Sequence, residues 1–385
     1  MTADQRASGL SVTLCRDPRQ FAALGPRWNE LHRRCGAATP FQSHPWLHSW
    51  WLSYGIPGRL RLVLVRRAGR LIGVAPLMLS FRPLPLLVPL GGDISDFSDV
   101  LLDDSCASTA AAGLARGLWH AARCALIDLR EVRPGAAAER LYDCWPGLRL
   151  RLRDSECLEL PGAPLPELLK RLPSPSARRF RAKLRKLEAL DIEERVVPGH
   201  EVPKAVNTML RLHGLQWQGR GVTPEHLRPR FAEHLVRATT QMVSSGDALL
   251  TEYRMGGEVV ATDMTLMSAD LAGGYLYGAH PELRARKVDI TTMLLRHDAR
   301  HVTETGRSVL SMLRGTEPYK RHWRPETVIN QRFLLARHAL APALGLHAAQ
   351  VAGRSLAAEA VRTKMPAVGR WRSRLNSWRA DGTKR

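Results

Sequence analysis

The stretch Leu313–Trp323, LRGTEPYKRHW, decides how this chain folds and where its chemistry sits. It follows an apolar run of strand character, RSVLSM, and sets Arg314, Glu317, Tyr319, Lys320, Arg321, His322 and Trp323 into eleven positions. Such a mixture is too polar to be core throughout and too aromatic for a plain solvated turn. Side chains of this kind at a strand end line a cleft.

Working outward from this stretch, the same order of elements appears twice. In the first half, a helix capped by Asp17 and an aromatic helix from Ser43 precede RLRLVLVRR and RLIGVAPLML. The tight Ala68-Gly69 turn makes these two a hairpin. A strand in the GGDISDFSDVLLDD region, a helix from Ser105 to about residue 122 and the strand CALIDLREV follow. In the second half, helices at Val202–Trp217 and from Pro224 to about residue 243 precede DALLTEYRM and EVVATDMTLMS, joined at Gly256-Gly257. AGGYLYGAH, a helix from Asp289 to about Thr305 and RSVLSMLRG complete the series. This repeated order predicts an α/β chain of two units. The expected boundaries are 10–160 for the first unit, 161–200 for a basic connector, 201–335 for the second unit with the cleft, and 336–385 for a basic helical tail. The N-terminus of the helix after each third strand offers backbone N–H groups to phosphate or carboxylate.

The chain has 57 Lys+Arg against 36 Asp+Glu, a net charge of +21. That balance points to an anionic partner such as nucleic acid, a phosphorylated cofactor or an anionic membrane face. Eight basic residues and no acid lie between Lys170 and Lys186. There, Phe180, Leu184 and Leu187 recur at helical spacing, so the segment is an amphipathic helix with a wet, charged face or an anion-binding surface. A second excess lies in the tail, where Trp371, Leu375 and Trp378 stand among arginines in an interfacial pattern. The six cysteines are irregularly spaced without a C-x-x-C pair, which predicts free thiols. No signal-peptide core or long apolar run occurs, so a cytoplasmic protein is expected, with peripheral contact at the inner membrane face through the tail.

The chain lacks a P-loop, G-x-G-x-x-G and G-x-S-x-G, which argues against P-loop hydrolases, Rossmann dinucleotide sites and α/β-hydrolases. His297 and His301 in HDARH have zinc-helix spacing, but Asp298 stands where glutamate is needed and arginines flank the pair. A solvated helix face is expected there, and no metal. Asp93, Asp96 and Asp99 depart from a calcium loop at its glycine and glutamate positions. In LHGLQWQGRG, Trp217 and Arg220 can stack on a ring or clamp a carboxylate, or simply end a helix.

TPFQSHPWLHSWWLSYG, PLGGDISDFSDVLLDD, LHGLQWQGRG, GGYLYGAHPELR and LRGTEPYKRHW occur in this order. Together they resemble the GNAT-superfamily acyltransferases of the cellulose-biosynthesis or BioF-like group over roughly residues 10 to 335. The layout is also similar to the Fem-type peptidyltransferases. Gly315, Glu317, Tyr319, Lys320 and Trp323 fit the group's most specific motif. The resemblance implies a tandem GNAT fold with mixed sheets. It also implies transfer of an acyl group from acetyl-CoA or another acyl-CoA to an amine or hydroxyl of a small or saccharide acceptor. The Fem-type layout implies tRNA as the alternative donor carrier, and a degenerate, non-enzymatic pair is a third reading. DNA is not an expected partner.

On this chain the resemblance places Lys320 as stabiliser of developing negative charge, Tyr319 as proton donor, and Glu317 or Asp263 as base. Arg284, Arg286, Lys287, Thr291 and Arg314 are expected to hold the donor's phosphates. Here the sequence departs from the family, because KVDIT (287–291) contains no glycine. A β-branched run narrows backbone approach to a pyrophosphate, and Asp289 adds repulsion unless it caps the helix. Asp96, Asp99, Trp217 and Arg220 are the candidate acceptor residues.

Overall fold

The computed structural model describes residues 9–218, 223–315 and 317–364, with side chains to 356. Its contacts divide the chain into two units, residues 1–157 with 327–351, and residues 158–326 with 352–385.

The first unit runs β1 (Leu10–Cys15), α1 (Pro18–Ala23), α2 (Gly25–Arg33), α3 (His44–Tyr54), β2 (Leu60–Arg67), β3 (Arg70–Phe81), β4 (Pro85–Pro89), β5 (Leu101–Leu102), α4 (Ala107–Ala121), β6 (Leu126–Val132), α5 (Ala137–Asp143) and β7 (Leu148–Pro161). Strands β1 to β4 are antiparallel neighbours, and β4 then pairs in parallel with β6 at Leu86–Leu126 and Leu87–Ile127. The crossover α4 packs closely on the sheet because it carries glycine where the backbones meet. A Cβ on Gly113 would lie 2.7 Å from Val65 Cγ1, and one on Gly117 only 2.4 Å from Val63 Cγ1. The Ser43 side chain caps α3 through the Trp46 N–H. Phe21, Trp28, Phe41, Trp46 and Phe97 pack edge-on or tilted against one another or neighbouring rings, all fully buried; each contributes about 1.5–3 kcal/mol by leaving water.

The second unit runs α6 (Leu165–Lys170), α7 (Ser174–Glu188), β8 (Glu193–Val196), α8 (Val202–Trp217), α9 (Pro229–Ser245), β9 (Ala248–Met255), β10 (Glu258–Met267), β11 (Leu271–Ala279), α10 (Pro281–Ala285), α11 (Ile290–Glu304), β12 (Val309–Arg314) and α12 (Pro318–Arg321). Strands β8, β9, β10 and β11 are antiparallel neighbours, β11 pairs in parallel with β12, and the end of β7 lies beyond β12. This is the first unit's pattern again: four antiparallel strands with helices after the first, then a helical crossover to a parallel fifth. Helix α8 lies close on β11, where a Cβ on Gly278 would fall 2.2 Å from Met209 O. The chain returns to the first unit as β13 (Glu326–Ala336), antiparallel to β6, and enters α13 (Ala341–Lys364). Arg332 on β13 holds the buried Asp128 of β6 through two nitrogens at 2.7 and 2.5 Å, and His347 adds a third contact at 2.9 Å.

Three local expectations are corrected. The third strand of the first unit is Pro85–Pro89, not the GGDISDFSDVLLDD region, of which only Leu101–Leu102 pairs. Prolines that remove ladder donors hide β4 from a sequence reading. The tail, expected to be helical from residue 336, begins with Ala336 still in β13, and α13 starts only at Ala341, with Pro342 in its first turn, where its missing N–H has no cost. The tail residues Trp371, Leu375 and Trp378 lie outside the described residues.

Candidate active site

The second unit's sheet opens between β11 and β12. Their pairing covers only Leu271–Val309, Ala272–Leu310 and Gly273–Ser311, although β11 continues to Ala279. On one side the β10–β11 register shifts between Met264 and Thr265. On the other, β12 turns away at Leu313, held in the left-handed region at φ 58°, and at Gly315, φ 105°. A non-glycine residue in that region costs about 1–2 kcal/mol and persists only where its surroundings fix it. Diverging strands expose N–H and C=O groups that accept an extended, amide-bearing chain. Gly274, the first residue past the pairing, is exposed.

The LRGTEPYKRHW segment follows directly. Lys320 is buried, and its Nζ donates to Arg314 O at 2.8 Å and to Glu317 Oε2 at 2.8 Å. The ammonium therefore clasps the turn between the end of β12 and α12. Half-exposed Glu317 folds over Gly315, whose added Cβ would meet Oε1 at 2.5 Å. Tyr319 is 38% exposed, and burial together with the Glu317 and Tyr277 charges pushes its phenol above the usual range. Tyr277 of β11, which sequence reasoning did not single out, is raised by burial and by Asp263, Asp289 and Glu317. Tyr277, Glu317 and Tyr319 therefore share one electrostatic environment. The signal for Tyr277 was the alternation in GGYLYGAH, which puts it opposite Asp263. Trp323 is buried, its ring centroid 4.0 Å from that of Phe180, and plugs the core behind the motif.

Asp263 is 2% exposed. Burial and the nearby Asp298 charge raise its carboxyl well above the usual range, and the same burial takes Asp298 to about 6. Asp298 was expected on a solvated helix face with His297; both are buried instead. His297 follows Leu294, and Asp298 follows Leu295, by three residues each, on the face that α11 turns to the sheet. His297 bonds Thr251 at 2.9 Å and Glu194 at 3.3 Å, and His301 contacts Met267 Sδ at 3.0 Å. Among the described residues no group of three His, Cys, Asp or Glu is placed to hold a metal.

At the other end of β11 a cavity of about 320 Å³ is lined by Gln216, Gln218, His280, Pro281, Arg284 and Ile290, among others. Asp289 caps α11, accepting the Thr292 N–H at 2.9 Å, and its charge is answered by Lys183 at 2.5 Å, which holds its carboxyl below the usual range. Helix geometry leaves the Ile290 and Thr291 N–H groups without an intrahelical acceptor. Arg284 is exposed at the cavity, Arg286 pairs with Glu282 at 2.6 Å, and Lys287, at φ 55°, receives Lys186 Nζ on its carbonyl at 3.3 Å. The cap that the sequence required of Asp289 is thus present. The turn fits a phosphate-bearing donor through cations and two N–H groups in place of a glycine cradle.

The remaining candidates lie elsewhere. Asp99 is buried in the first unit and accepts the N–H groups of Val100, Ala137 and Ala138 at 2.7–2.9 Å, so it caps α5; burial raises it to about 7. Asp96, also in the first unit, is half-buried. Trp217 ends α8 beside Gln216 with its indole N–H buried and without a partner among the described residues. Arg220 lies outside them.

Residues 175–321, from α7 through the YKR of the motif, match the acetyltransferase (GNAT) domain. The fold is a tandem GNAT fold. The chain is similar to a conserved protein of unknown function from Bacteroides thetaiotaomicron (TM-score 0.58, 10% identity, covering 85% of this chain and 100% of that one). It is equally similar to FemX (TM-score 0.58, 11% identity, 84% and 96%). The C-terminal domain of a lysylphosphatidylglycerol synthetase from Agrobacterium fabrum follows (TM-score 0.53, 11% identity, 86% and 96%). At these identities the likeness is one of fold. A search of the curated proteins finds no match.

Proposed function

We propose that the second unit transfers an acyl group from acetyl-CoA or another acyl-CoA to an amine or hydroxyl of a small or saccharide acceptor. The observation that carries this is that β11 and β12 pair over only three residues, and we take the unpaired stretch beyond Gly273 and Ser311 as a cleft beside the Tyr319 motif. Such a cleft takes the donor's amide chain as an added strand, with its phosphates toward Arg284, Lys287, Arg286 and the Ile290 and Thr291 N–H groups at the start of α11. Arg314 is a second clamp. Asp263 accepts the acceptor's proton, and Tyr319 supplies one to the leaving thiolate. Lys320 and Glu317 hold the turn that presents Tyr319, and Lys320 adds positive charge beside the developing oxyanion. Trp217 offers a stacking face to the acceptor. Titration of acetyl-CoA into wild type and Arg284→Ala tests the reading: saturable binding that weakens in the variant supports it, and no heat up to millimolar donor sinks it.

A second reading rests on α7. Arg178, Arg181 and Arg185 are exposed there and have no acidic partner among the described residues. Such a surface suits a polyanionic donor carrier, so an aminoacyl-tRNA is the alternative. Its mark is binding that falls steeply with salt as counterions are released.

A further inference from the structure

One group in the second unit is left without a task by the fold. Asp263 on β10 and Asp298 on α11 are 2% and 6% exposed, and neither forms an ion pair with a Lys or Arg among the described residues. The Thr265 hydroxyl lies between them, 2.9 Å from Asp298 Oδ1 and 3.3 Å from Asp263 Oδ2. A hydroxyl has one proton and cannot donate to both carboxylates. Both contacts are satisfied only when one carboxyl is protonated and donates to Oγ1 while Oγ1–H donates to the other. The geometry thus calls for at least one proton on the two acids, in keeping with the burial of like charges.

The pair is reachable from one direction. A Cβ built on exposed Gly274 would lie 3.3 Å from Asp298 Oδ2 and 4.0 Å from Asp263 Oδ1. The glycine leaves open the space through which a ligand atom comes within hydrogen-bonding reach of Asp298. A second group points the same way: the Tyr253 hydroxyl is fully buried, has no partner among the described residues, and feels the Asp263 and Asp298 charges. Among the described residues, the neighbouring titratable groups have their own settings. Tyr277 stands opposite Asp263 on β11, His297 on α11 is held by Thr251 and Glu194, and Glu194 on β8 is neutralised by Arg296 and Arg300.

We propose that Asp298 is the partner of Asp263 in a carboxyl pair that shares one proton through Thr265 and takes up the acceptor's proton through the opening above Gly274. This rests on the acyl-transfer reading of the cleft. As the acceptor's N or O bonds to the acyl carbon and the C–S bond breaks, the ionised carboxyl takes the proton from N or O. The pair then returns it to the thiolate, directly or by way of Tyr319, and is restored to one proton. Protonation of the second carboxyl stops the cycle, so the rate rises with pH through about 6, where Asp298 titrates.

The test uses the full chain and two readouts. Carbon-13 spectra of carboxyl-labelled aspartate, taken across pH, are expected to show, besides that of Asp99, resonances in wild type that titrate well above the ordinary value of about 4 and change in both Asp298→Asn and Asp263→Asn, whereas that of Asp99 does not. Acetohydroxamate formation from acetyl-CoA and hydroxylamine reads the transfer. Asp298→Asn is expected to lose roughly a hundredfold in rate and the limb near pH 6, with acetyl-CoA affinity unchanged. Gly274→Ala, whose backbone is not in the left-handed region, folds as wild type, keeps the carboxyl titration and loses at least about tenfold in rate. Rates within twofold of wild type in both variants, or two carboxyls that ionise in the ordinary range, overturn the proposal. If wild type neither binds acetyl-CoA nor forms hydroxamate, the donor reading fails, and the carbon-13 titration alone decides whether the pair exists.

Discussion

Replacing Lys320 by Met separates a clasp from a catalytic cation. Met keeps most of the stem's volume and removes the ammonium, so packing against the 7% exposed site is little changed. What is lost is the hydrogen bond to Arg314 O at 2.8 Å and the contact with Glu317 at 2.8 Å. A hydrogen bond from a charged donor contributes about 1.5–3 kcal/mol. The Glu317 contact adds little, because that carboxylate is half-exposed and screened. The sum is about 2–3 kcal/mol, which for a unit of this size lowers its melting temperature by about 5–10 °C. Differential scanning calorimetry of the full chain reads this directly. A melting temperature within 1–2 °C of wild type would refute the clasp and return Lys320 to a purely catalytic role.

Trp323→Ala empties a fully buried indole site against Phe180 and should cost about 3–5 kcal/mol, seen as an earlier urea midpoint with unchanged slope. Glu194, held to about 2 by His297, Arg296 and Arg300 despite burial, stabilises the fold above the ordinary carboxylate range. That contribution is lost as pH falls through about 4.5 toward 2, so Glu194→Gln should flatten the acid limb of a melting profile between those values. Asp298 has the opposite sign: its raised value means stability declines as pH rises through about 6, and Asp298→Asn should remove that decline. Reversal of Arg178, Arg181 and Arg185 to Glu should reduce the salt slope of any tRNA binding by about 3, while leaving acetyl-CoA titrations unaltered.

The duplication was legible because its elements announce themselves locally. Ala68-Gly69 and Gly256-Gly257 mark the hairpins, and all four glide into positive φ where their turns need it. Val202–Trp217 and the helix after Asp289 have clear apolar periodicity, and Asp289 caps the second of them. The elements that escaped were those whose sequence contradicts their state. Strand β4 is bounded by Pro85 and Pro89, and β8, EERV, is short, polar and at the sheet's edge. At the site, the Tyr319 motif could be seen as chemically dense, but not that Lys320 turns back onto Arg314 O. Nor could the Asp263–Asp298 approach be read from the chain, since it joins residues 35 apart across a strand and a helix. Composition marks both as polar, and only packing shows that they are buried without a Lys or Arg partner among the described residues.

The central claim is that the cleft between β11 and β12 holds an acyl-CoA. Calorimetric titration of acetyl-CoA into the wild-type chain, repeated with Arg284→Ala, tests it most directly. The account predicts one saturable site with micromolar affinity in wild type and weaker binding in the variant. No heat and no thermal shift up to millimolar acetyl-CoA would contradict it and leave the exposed arginines of α7 as the place to seek the donor.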